Sequence, residues 1–493
     1  MNMAARINIY GFLISAILLL AACYEDHGNY DYLSSSDVMP VEIEAIDSIS
    51  VKANTELSIT PTLSNISDDS DYSFLWYVLD SSYERDTLSD QRNLSVNVNL
   101  TVGDYTLYYK ITYLETGVYK YITAPLTVTG TDITSGWYIM KEIDGGTDFD
   151  YFSLSGEHDQ TNFLTTILGI DPMDGEPRSM MYQSEYTHEV EDEDGTTVET
   201  ITALHLLSSG TYYALSGSDM TVVTDIDNGF YEIPDVIDMQ YVEADDYSQY
   251  LINNGKLHYQ GEIGRWGYQK AGDYYLWPDI FVIGSGFSLC FDYQNNDFYE
   301  VGLWADGMAE VIDYRTYTTF TEFADNQLTV SYVMNHTDET YYPEVYMIAT
   351  MGDDKQNYVI LTDFFLNYVY QTTYYEIPDD SPLLNSSVMA MPTSASVIYY
   401  ADGNLFYLYR PSTGESRLLA TMPDDEEIAF IKHVSGTEYD GTSFSDIVII
   451  TNSASSYYIY RFPTVGSAGE ITVDTNYVMS GTGKASCLMF RQQ

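Results

Sequence analysis

Most of this chain consists of short runs of Val, Ile, Thr, Tyr and Phe, in which apolar and polar residues often alternate. Clusters of Gly, Asp, Asn and Ser separate the runs. Such a period of two is typical of β-strands joined by turns. The spacing of apolar residues that marks an amphipathic helix is not sustained anywhere. The pattern therefore predicts an all-β fold.

Residues 41 to 130 contain a first series of runs, which is expected of an immunoglobulin-like β-sandwich. Trp76 lies at the position of the core tryptophan of such a domain, and its apolar neighbours favour a core role over an exposed ligand platform. No cysteine pair is present in this segment. The predicted strands are VEIEAI, SISVKA, ELSITPTLS, YSFLWYVLD, LSVNVNL, YTLYYKITYL and YKYITAPLTVT.

A different unit recurs over residues 131 to 493: a strand, a Gly/Asp/Asn turn, and a second strand dense in Tyr or Phe. In its clearest form, residues 397–410, the turn Asp402-Gly403-Asn404 is predicted to join two strands of a hairpin. Units of about 50 residues predict a β-propeller of about seven blades, with six and eight as alternatives. Units are predicted to begin near Trp137, Ala203, Tyr250, Val282, Tyr346, Val397 and Ile447.

A propeller must also join its last blade to its first. The apolar run from Cys487 to Phe490 lies close to the C-terminus, and we expect it to complete the blade that Trp137 opens. The predicted organisation is a signal peptide over residues 1–22, a tether over 23–40, the sandwich over 41–130 and the propeller over 131–493.

The stretch from Ile7 to Leu20 is apolar but shorter than the roughly 20 residues that a membrane-spanning helix needs. It is typical of a signal peptide. The residues that follow, Leu20-Ala21-Ala22-Cys23, fit the bacterial lipobox, so we predict that Cys23 is acylated and anchors the chain in a membrane. A secreted protein with a cysteine at its cleavage site is the alternative.

The run from Cys23 to Tyr32, CYEDHGNYDY, closely resembles the mature N-terminus of the PKD-like lipoprotein family of Bacteroidota. Glu25 and Asp26 resemble the acidic signal that displays such lipoproteins on the cell exterior, although the usual form has a lysine at Glu25 or His27. The resemblance implies an outer-membrane lipoprotein with a propeller-like region after its sandwich. It also implies partnership with a TonB-dependent transporter and that transporter's binding lipoprotein.

The charge and the cysteine content limit which classes of partner and metal the chain can bind. The chain has 19 Lys plus Arg against 74 Asp plus Glu, a formal charge of −55, which repels nucleic acid. This charge serves solubility or, alternatively, the binding of Ca²⁺ or a cationic ligand. No zinc spacing or other metal motif is found, and we predict no metal and no cofactor. We expect Cys290 and Cys487 to be buried free thiols, with a single bridge between them as the alternative.

Aromatic residues in turns suggest a binding site. Residues 265–278 contain Trp266, Tyr268, Tyr274 and Trp277 in a stretch rich in turn residues. Aromatic faces stack on sugar rings, and nearby carboxylates or amides bind the hydroxyls, so these four residues are predicted to form a glycan platform. Packing between blades is the alternative interpretation.

The favoured function is non-enzymatic binding of a glycan or glycoprotein at the cell surface, for uptake by the neighbouring transporter. No residue is singled out as catalytic. A propeller-type glycoside hydrolase or lyase that uses carboxylates of its central channel is the alternative, together with a structural or adhesive surface protein.

Overall fold

The chain forms two compact units, which divide between Thr129 and Gly130. The prediction of an all-β fold is confirmed, since the helical segments among the described residues are at most six residues long. No helix among the described residues is long and apolar enough to cross a membrane. The computed structural model describes residues 38–52, 55–66, 68–79, 85–98, 100, 103–129, 135–156, 159–192, 195–244, 249–260, 264–284, 287–301, 308–336, 342–352, 355–366 and 368–492.

The first unit is built on a five-stranded sheet of order β2-β9-β8-β5-β6, with the pairs β1-β4 and β3-β7 beside it. Strand β2 is parallel to β9, and the other neighbours are antiparallel. The strands are β1 (Glu42–Ile43), β2 (Ile49–Lys52), β3 (Glu56–Ile59), β4 (Leu63–Ser64), β5 (Tyr72–Leu79), β6 (Arg85–Ser89), β7 (Leu94–Asn97), β8 (Gly103–Tyr113) and β9 (Tyr119–Thr129).

Trp76 occupies the core of this unit, as the sequence predicts. Its ring stacks on Tyr109 with 4.1 Å between centroids, and its indole N–H donates to the Gln91 carbonyl over 3.0 Å. Strand β6 is not among the predicted strands, because its residues, RDTLS, carry two charges and face solvent at the edge of the sheet.

In the described part of the second unit the strands form seven sheets. Sheet I contains β12-β11-β10-β39, sheet II β13-β14-β15-β16, sheet III β17-β18-β19, sheet IV β20-β21-β22-β23, sheet V β25-β24-β29-β28-β27-β26, sheet VI β30-β31-β32-β33, and sheet VII β34-β35-β36-β37 with β38 beside β36.

The strands of the second unit are β10 (Gly136–Ile143), β11 (Gly146–Ser153), β12 (Met173–Asp174), β13 (Pro177–Asp192), β14 (Gly195–Ser208), β15 (Tyr212–Ser216), β16 (Val222–Asp225), β17 (Met239–Ala244), β18 (Gln249–Asn253), β19 (Lys256–Tyr259), β20 (Phe281–Gly284), β21 (Phe287–Asp292), β22 (Asp297–Val301), β23 (Ala309–Glu310), β24 (Ile312–Asp313), β25 (Thr318–Thr319), β26 (Thr329–Asn335), β27 (Glu344–Met351), β28 (Gln356–Phe365), β29 (Tyr368–Glu376), β30 (Met389–Ala390), β31 (Ile398–Asp402), β32 (Leu405–Arg410), β33 (Glu415–Thr421), β34 (Glu427–Thr437), β35 (Ser443–Asn452), β36 (Ser456–Val465), β37 (Glu470–Ile471), β38 (Met479–Thr482) and β39 (Lys484–Arg491). The short helical segments of the two units are Asp69–Asp71, Phe163–Leu168, Glu322–Asp325, Pro382–Asn385 and Gly466–Ala468.

Both faces of these sheets are buried. Successive side chains of a strand point to opposite faces, so in β10 Tyr138 and Met140 pack towards sheet II while Trp137 and Ile139 pack towards sheet VII. This double burial explains why the strand reads as an unbroken apolar run. The same division recurs in β18, β27, β31 and β35.

The apolar clusters join the sheets into a ring. Separate clusters lie between I and II, II and III, III and IV, IV and V, V and VI, and VI and VII, and a further cluster joins VII back to I. The second unit is therefore propeller-like, as predicted.

The predicted closure by the C-terminal strand is confirmed. Strand β39 pairs antiparallel with β10, and Phe490 lies opposite Trp137. A buried ion pair within sheet I, Lys141 to Asp150 at 2.7 Å, is bonded to sheet VII by the hydroxyl of Tyr457, which donates to Asp150 over 2.5 Å. Sheets VII and I are thus joined by polar as well as apolar contacts.

Most of the predicted starts of the repeating units fall one strand too late, because they mark the second strand of a sheet instead of the first. Trp137, Ala203, Tyr250, Val397 and Ile447 lie in or at the start of the second strand of their sheets, as does Tyr346 among the four long strands of sheet V. Only Val282 lies in a first strand. Second strands are buried on both faces, so their apolar runs dominate the pattern. The hairpin at Asp402-Gly403-Asn404 is confirmed, with Gly403 at φ +60°.

Cys290 and Cys487 are both free and buried. They lie in different apolar clusters, between sheets III and IV and between sheets I and II. The prediction of buried thiols is confirmed, and a bridge between them is excluded.

Candidate functional site

Trp266 is a core residue. Its side chain is 0% exposed and packs between sheets II and III, where its ring meets Tyr212 edge to face at 5.9 Å. Its backbone amide donates to the Gly229 carbonyl over 2.7 Å, and its own carbonyl accepts from Tyr231 over 3.0 Å. These contacts leave no face for a ligand.

Tyr274 is buried in the same way, between sheets III and IV. Its hydroxyl accepts a hydrogen bond from the Leu257 amide over 3.2 Å and donates one to the Lys270 carbonyl over 2.8 Å. Burial raises the pKa of this hydroxyl well above its usual value. The hydroxyl therefore satisfies backbone groups inside the protein.

The other two predicted residues lie apart from each other. Trp277 is half-buried and packs on the cluster between sheets IV and V, with its ring 5.5 Å from Tyr332. Tyr268 is 66% exposed and borders a cavity of about 320 Å³. The four aromatic residues thus form no common exposed face, and the predicted platform is corrected to this extent: Trp266 and Tyr274 belong to the core.

Exposed aromatic residues do gather at one end of sheet V. We call this site the tyrosine cleft, an open cavity of about 530 Å³. Its volume falls within the range of small-molecule sites. Its lining residues are Tyr314, Tyr342, Pro343, Glu344, Asp363, Phe364, Phe365 and Tyr370.

Three chain segments meet to build the cleft. The turn between β24 and β25 is attached to the edge of β29, because β24 runs parallel to it and the Tyr314 amide donates to the Val369 carbonyl over 2.9 Å. The segment before β27 brings Tyr342, and the hairpin between β28 and β29 brings Phe365 and Tyr370. The site therefore combines residues from three separate parts of the sequence.

The rings of the cleft contact one another and still face solvent. The centroid of Tyr314 lies 5.4 Å from that of Tyr370, and the Tyr342 ring lies 5.4 Å from Phe365. Tyr370 keeps 54% of its surface exposed. Tyr317, at the tip of the adjoining turn, is 71% exposed with its centroid 6.0 Å from Tyr314.

Two carboxyl groups lie beside these rings. Glu344 and Asp363 are directly opposite each other on β27 and β28. Partial burial, and secondarily the charge of Glu344, raise the pKa of Asp363. Glu344 also accepts a hydrogen bond from His336 Nδ1 at 2.7 Å. Aromatic faces next to carboxylates are the combination that holds a sugar ring and its hydroxyls.

A second cavity, of about 500 Å³, lies where first strands of several sheets approach one another. We call it the central cavity. Strands β17, β26, β30 and β34 line it, together with the segment before β20. Its polar side chains are those of Tyr241, Glu243, Asp279, Tyr332, Asn335, His336, Thr393, Lys432 and His433.

The two carboxyl groups of the central cavity, those of Glu243 and Asp279, have raised pKa values. Burial, with a contribution from the nearby charge of Glu243, raises the pKa of Asp279 to about 7. Burial also raises the pKa of Glu243. The Tyr241 hydroxyl donates to Glu243 over 3.1 Å and lies within hydrogen-bonding reach of Asp279. Both side chains are partly buried and keep some accessible surface, because they border the cavity.

Glu243 and Asp279 share a partly buried setting, and burial raises the pKa of both carboxyl groups. Among the described residues, no group of three or more His, Cys, Asp or Glu side chains is placed to hold a metal ion. Partly buried carboxyl groups at a concave surface serve ligand binding or acid–base chemistry.

The predicted lipidation site and export signal, Cys23, Glu25 and Asp26, lie outside the described residues. The model of the PKD-like family matches residues 23–177, which confirms the resemblance seen in the CYEDHGNYDY run. Among curated proteins, none matches the chain.

Solved structures give only distant likenesses. A quinonprotein alcohol dehydrogenase-like protein from Bacteroides thetaiotaomicron is 11% identical, with 90% of this chain and 96% of that chain covered and a TM-score of 0.33. Hsv2 from Kluyveromyces lactis is 8% identical, with coverage of 68% and 93% and a TM-score of 0.38. SGBP-B of the Bacteroides ovatus mixed-linkage glucan utilization locus, solved with a heptasaccharide, is 10% identical, with coverage of 60% and 73% and a TM-score of 0.17. These TM-scores are too low to support an inference about function.

Proposed function

We propose that this chain, whose residues 23–177 match the model of the PKD-like family, is a lipid-anchored surface protein that binds a glycan or glycoprotein without cleaving it. The tyrosine cleft is its binding site. The observation that carries the proposal is the gathering of exposed tyrosine rings around two carboxyl groups at one end of sheet V.

The physics of sugar binding fits this surface. A pyranose ring presents a flat patch of C–H groups that stacks on an aromatic face, and its equatorial hydroxyls donate to carboxylate oxygens. Tyr314 and Tyr370 supply the faces, while Glu344 and Asp363 supply the acceptors. The cleft is open, so a residue of a longer polysaccharide or a protein-linked glycan has access to it.

The binding experiment uses the mature chain with Cys23→Ala, which removes the acylation site. A glycan array identifies a ligand, and calorimetric titration then compares that chain with a double variant, Tyr314→Ala with Tyr370→Ala. We expect the double variant to lose binding by at least about thirtyfold, since anchoring aromatic residues contribute about 2 kcal/mol or more.

Tyr439→Ala is the matched control, because Tyr439 is equally a surface tyrosine but does not line the cleft. It should bind as the parent does. Unchanged binding in the double variant would reject the cleft as the site. Release of shorter sugars from the ligand would favour the hydrolase or lyase alternative, and an array without any bound glycan would favour a structural or adhesive role.

The proposed location is the outer membrane, facing the exterior, with acylated Cys23 as the anchor. The start of the family match at Cys23 supports this assignment. Labelling with a fatty-acid analogue should disappear in Cys23→Ala. Replacing Glu25 and Asp26 together by alanine should leave the labelling intact but remove accessibility to external protease. Labelling that persists without Cys23 would contradict the anchor.

We also propose that the protein delivers its ligand to a TonB-dependent transporter and that transporter's binding lipoprotein. Affinity purification from solubilised outer membranes should recover the transporter with the intact chain. A preparation that yields the chain without any transporter would count against this partnership.

A further inference from the structure

The central cavity shares no lining residue with the tyrosine cleft and has a different chemistry, although its His336 is hydrogen-bonded to Glu344 of the cleft. Its apolar lining comes from Ile280, Val333, Met334, Met389 and Met391, and its carboxyl groups from Glu243 and Asp279. An elongated ligand with an apolar stem and a polar end matches this division.

The charged groups of the cavity favour a cation at that polar end. When both carboxyl groups are ionised, they outnumber the single ammonium of Lys432. His336 is already bonded to Glu344, and His433 Nε2 to the hydroxyl of Ser445 at 2.9 Å. Strand β30 and the residues directly after it bring Met389, Ala390, Met391 and Thr393 to the cavity, none of which titrates.

Two further polar residues belong to the lining. The Asn335 Oδ1 and His336 Nε2 atoms are shielded from solvent and have no hydrogen-bond partner within the protein. An amide oxygen is a hydrogen-bond acceptor, and its dipole adds to the negative potential of the two carboxyl groups.

We propose that the central cavity binds a small molecule that carries a primary ammonium group on an apolar stem. The ammonium lies between Glu243 and Asp279, and the stem lies along the side chains of Met389 and Met391. The ligand displaces the proton that Asp279 otherwise holds near neutral pH.

The proton displacement gives the proposal a pH dependence with a definite sign. A carboxyl group with a pKa of about 7 is mostly protonated at pH 6 and mostly ionised at pH 8. Because a cation requires the ionised form, affinity should fall about tenfold from pH 8 to pH 6. Binding at pH 7 should release protons into the buffer.

The test is calorimetric titration of the mature chain carrying Cys23→Ala with 1,5-diaminopentane, and in parallel with 1,5-pentanediol. The two probes share the five-carbon stem and differ in charge. We expect heat of binding for the diamine only, with the tenfold pH effect. Equal binding of the diol, no binding of the diamine, or a flat pH profile would overturn the proposal.

Two variants with opposite expected effects on diamine affinity distinguish a loss of charge from a loss of folding. Asp279→Asn should weaken diamine binding at least tenfold and abolish its pH dependence. Lys432→Met removes the competing cation and should strengthen binding by about threefold. Asp424→Asn removes an exposed carboxylate elsewhere and should have no effect. Should Asp279→Asn fail to fold, weaker or unchanged binding in Lys432→Met would still refute the proposal.

The outcome is independent of the proposed glycan site. Tyr370→Ala should leave diamine binding unchanged, whereas Asp279→Asn should leave glycan binding unchanged. Loss of diamine binding in Tyr370→Ala would show that the diamine binds in the tyrosine cleft and would reject the central cavity.

Discussion

Residues 265–278 and the tyrosine cleft are both rich in aromatic residues, yet two large rings are buried in the first region and several rings are exposed in the second. Trp266 and Tyr274 of the first region are buried between neighbouring sheets. Tyr314 and Tyr370 of the second remain at the surface beside carboxyl groups. Aromatic density in a turn region therefore does not by itself identify a binding surface.

The difference lies in what covers each region. Residues 265–278 connect sheets III and IV, so each side chain that points inward enters the gap between two sheets. The cleft lies at the end of sheet V, where the added strands β24 and β25 extend beyond the four long strands. Tyr314 follows β24 in the adjoining turn and Tyr370 lies on β29 beside it, and both rings stay exposed at this edge.

The largest effect is expected from Trp266→Ala. Removing a fully buried indole leaves a cavity between sheets II and III, so the free energy of unfolding should fall by about 3 to 5 kcal/mol. Chemical denaturation measures it. A loss below about 1 kcal/mol would show that the residue is not part of the core.

A smaller loss of stability is expected from Tyr274→Phe. The change keeps the ring but removes the hydroxyl and its two hydrogen bonds, to the Leu257 amide and the Lys270 carbonyl. Losing the hydrogen bonds of buried groups in this way costs about 1 to 3 kcal/mol. The same denaturation experiment checks it, and unchanged stability would indicate that water replaces the hydroxyl.

Tyr268→Ala should have almost no effect on stability, within about 0.5 kcal/mol, because the side chain is mostly exposed. Comparison with Trp266→Ala should show that a core residue and a surface residue lie only two positions apart in this stretch. Destabilisation comparable to that of Tyr274→Phe would break this division.

Much of the fold could be predicted because its signals are local. The alternation around Trp76, the turn at Gly403 and the apolar run that ends at Phe490 each specify an element from a few neighbouring residues. Burial on both faces hides the period of two, so the pattern identified second strands and shifted the start of most units.

The binding surface could not be predicted in this way. The contact between Tyr314 and Tyr370 depends on the parallel pairing of β24 with β29, which no local pattern encodes. Equally, Trp266 is buried by Tyr212 and Met239, which come from other strands. The perturbed carboxyl of Asp279 has no sequence signal either, since acidic residues are abundant throughout the chain.

The most direct test of the central claim is a pair of substitutions at Tyr370, measured for glycan affinity and for melting temperature. Tyr370→Phe keeps the aromatic face and should retain affinity within about threefold, whereas Tyr370→Ala removes the face and should weaken binding by about thirtyfold. Neither should change the melting temperature by more than about 2 °C, because the residue is exposed. Equal affinity of the alanine and phenylalanine variants would contradict the account.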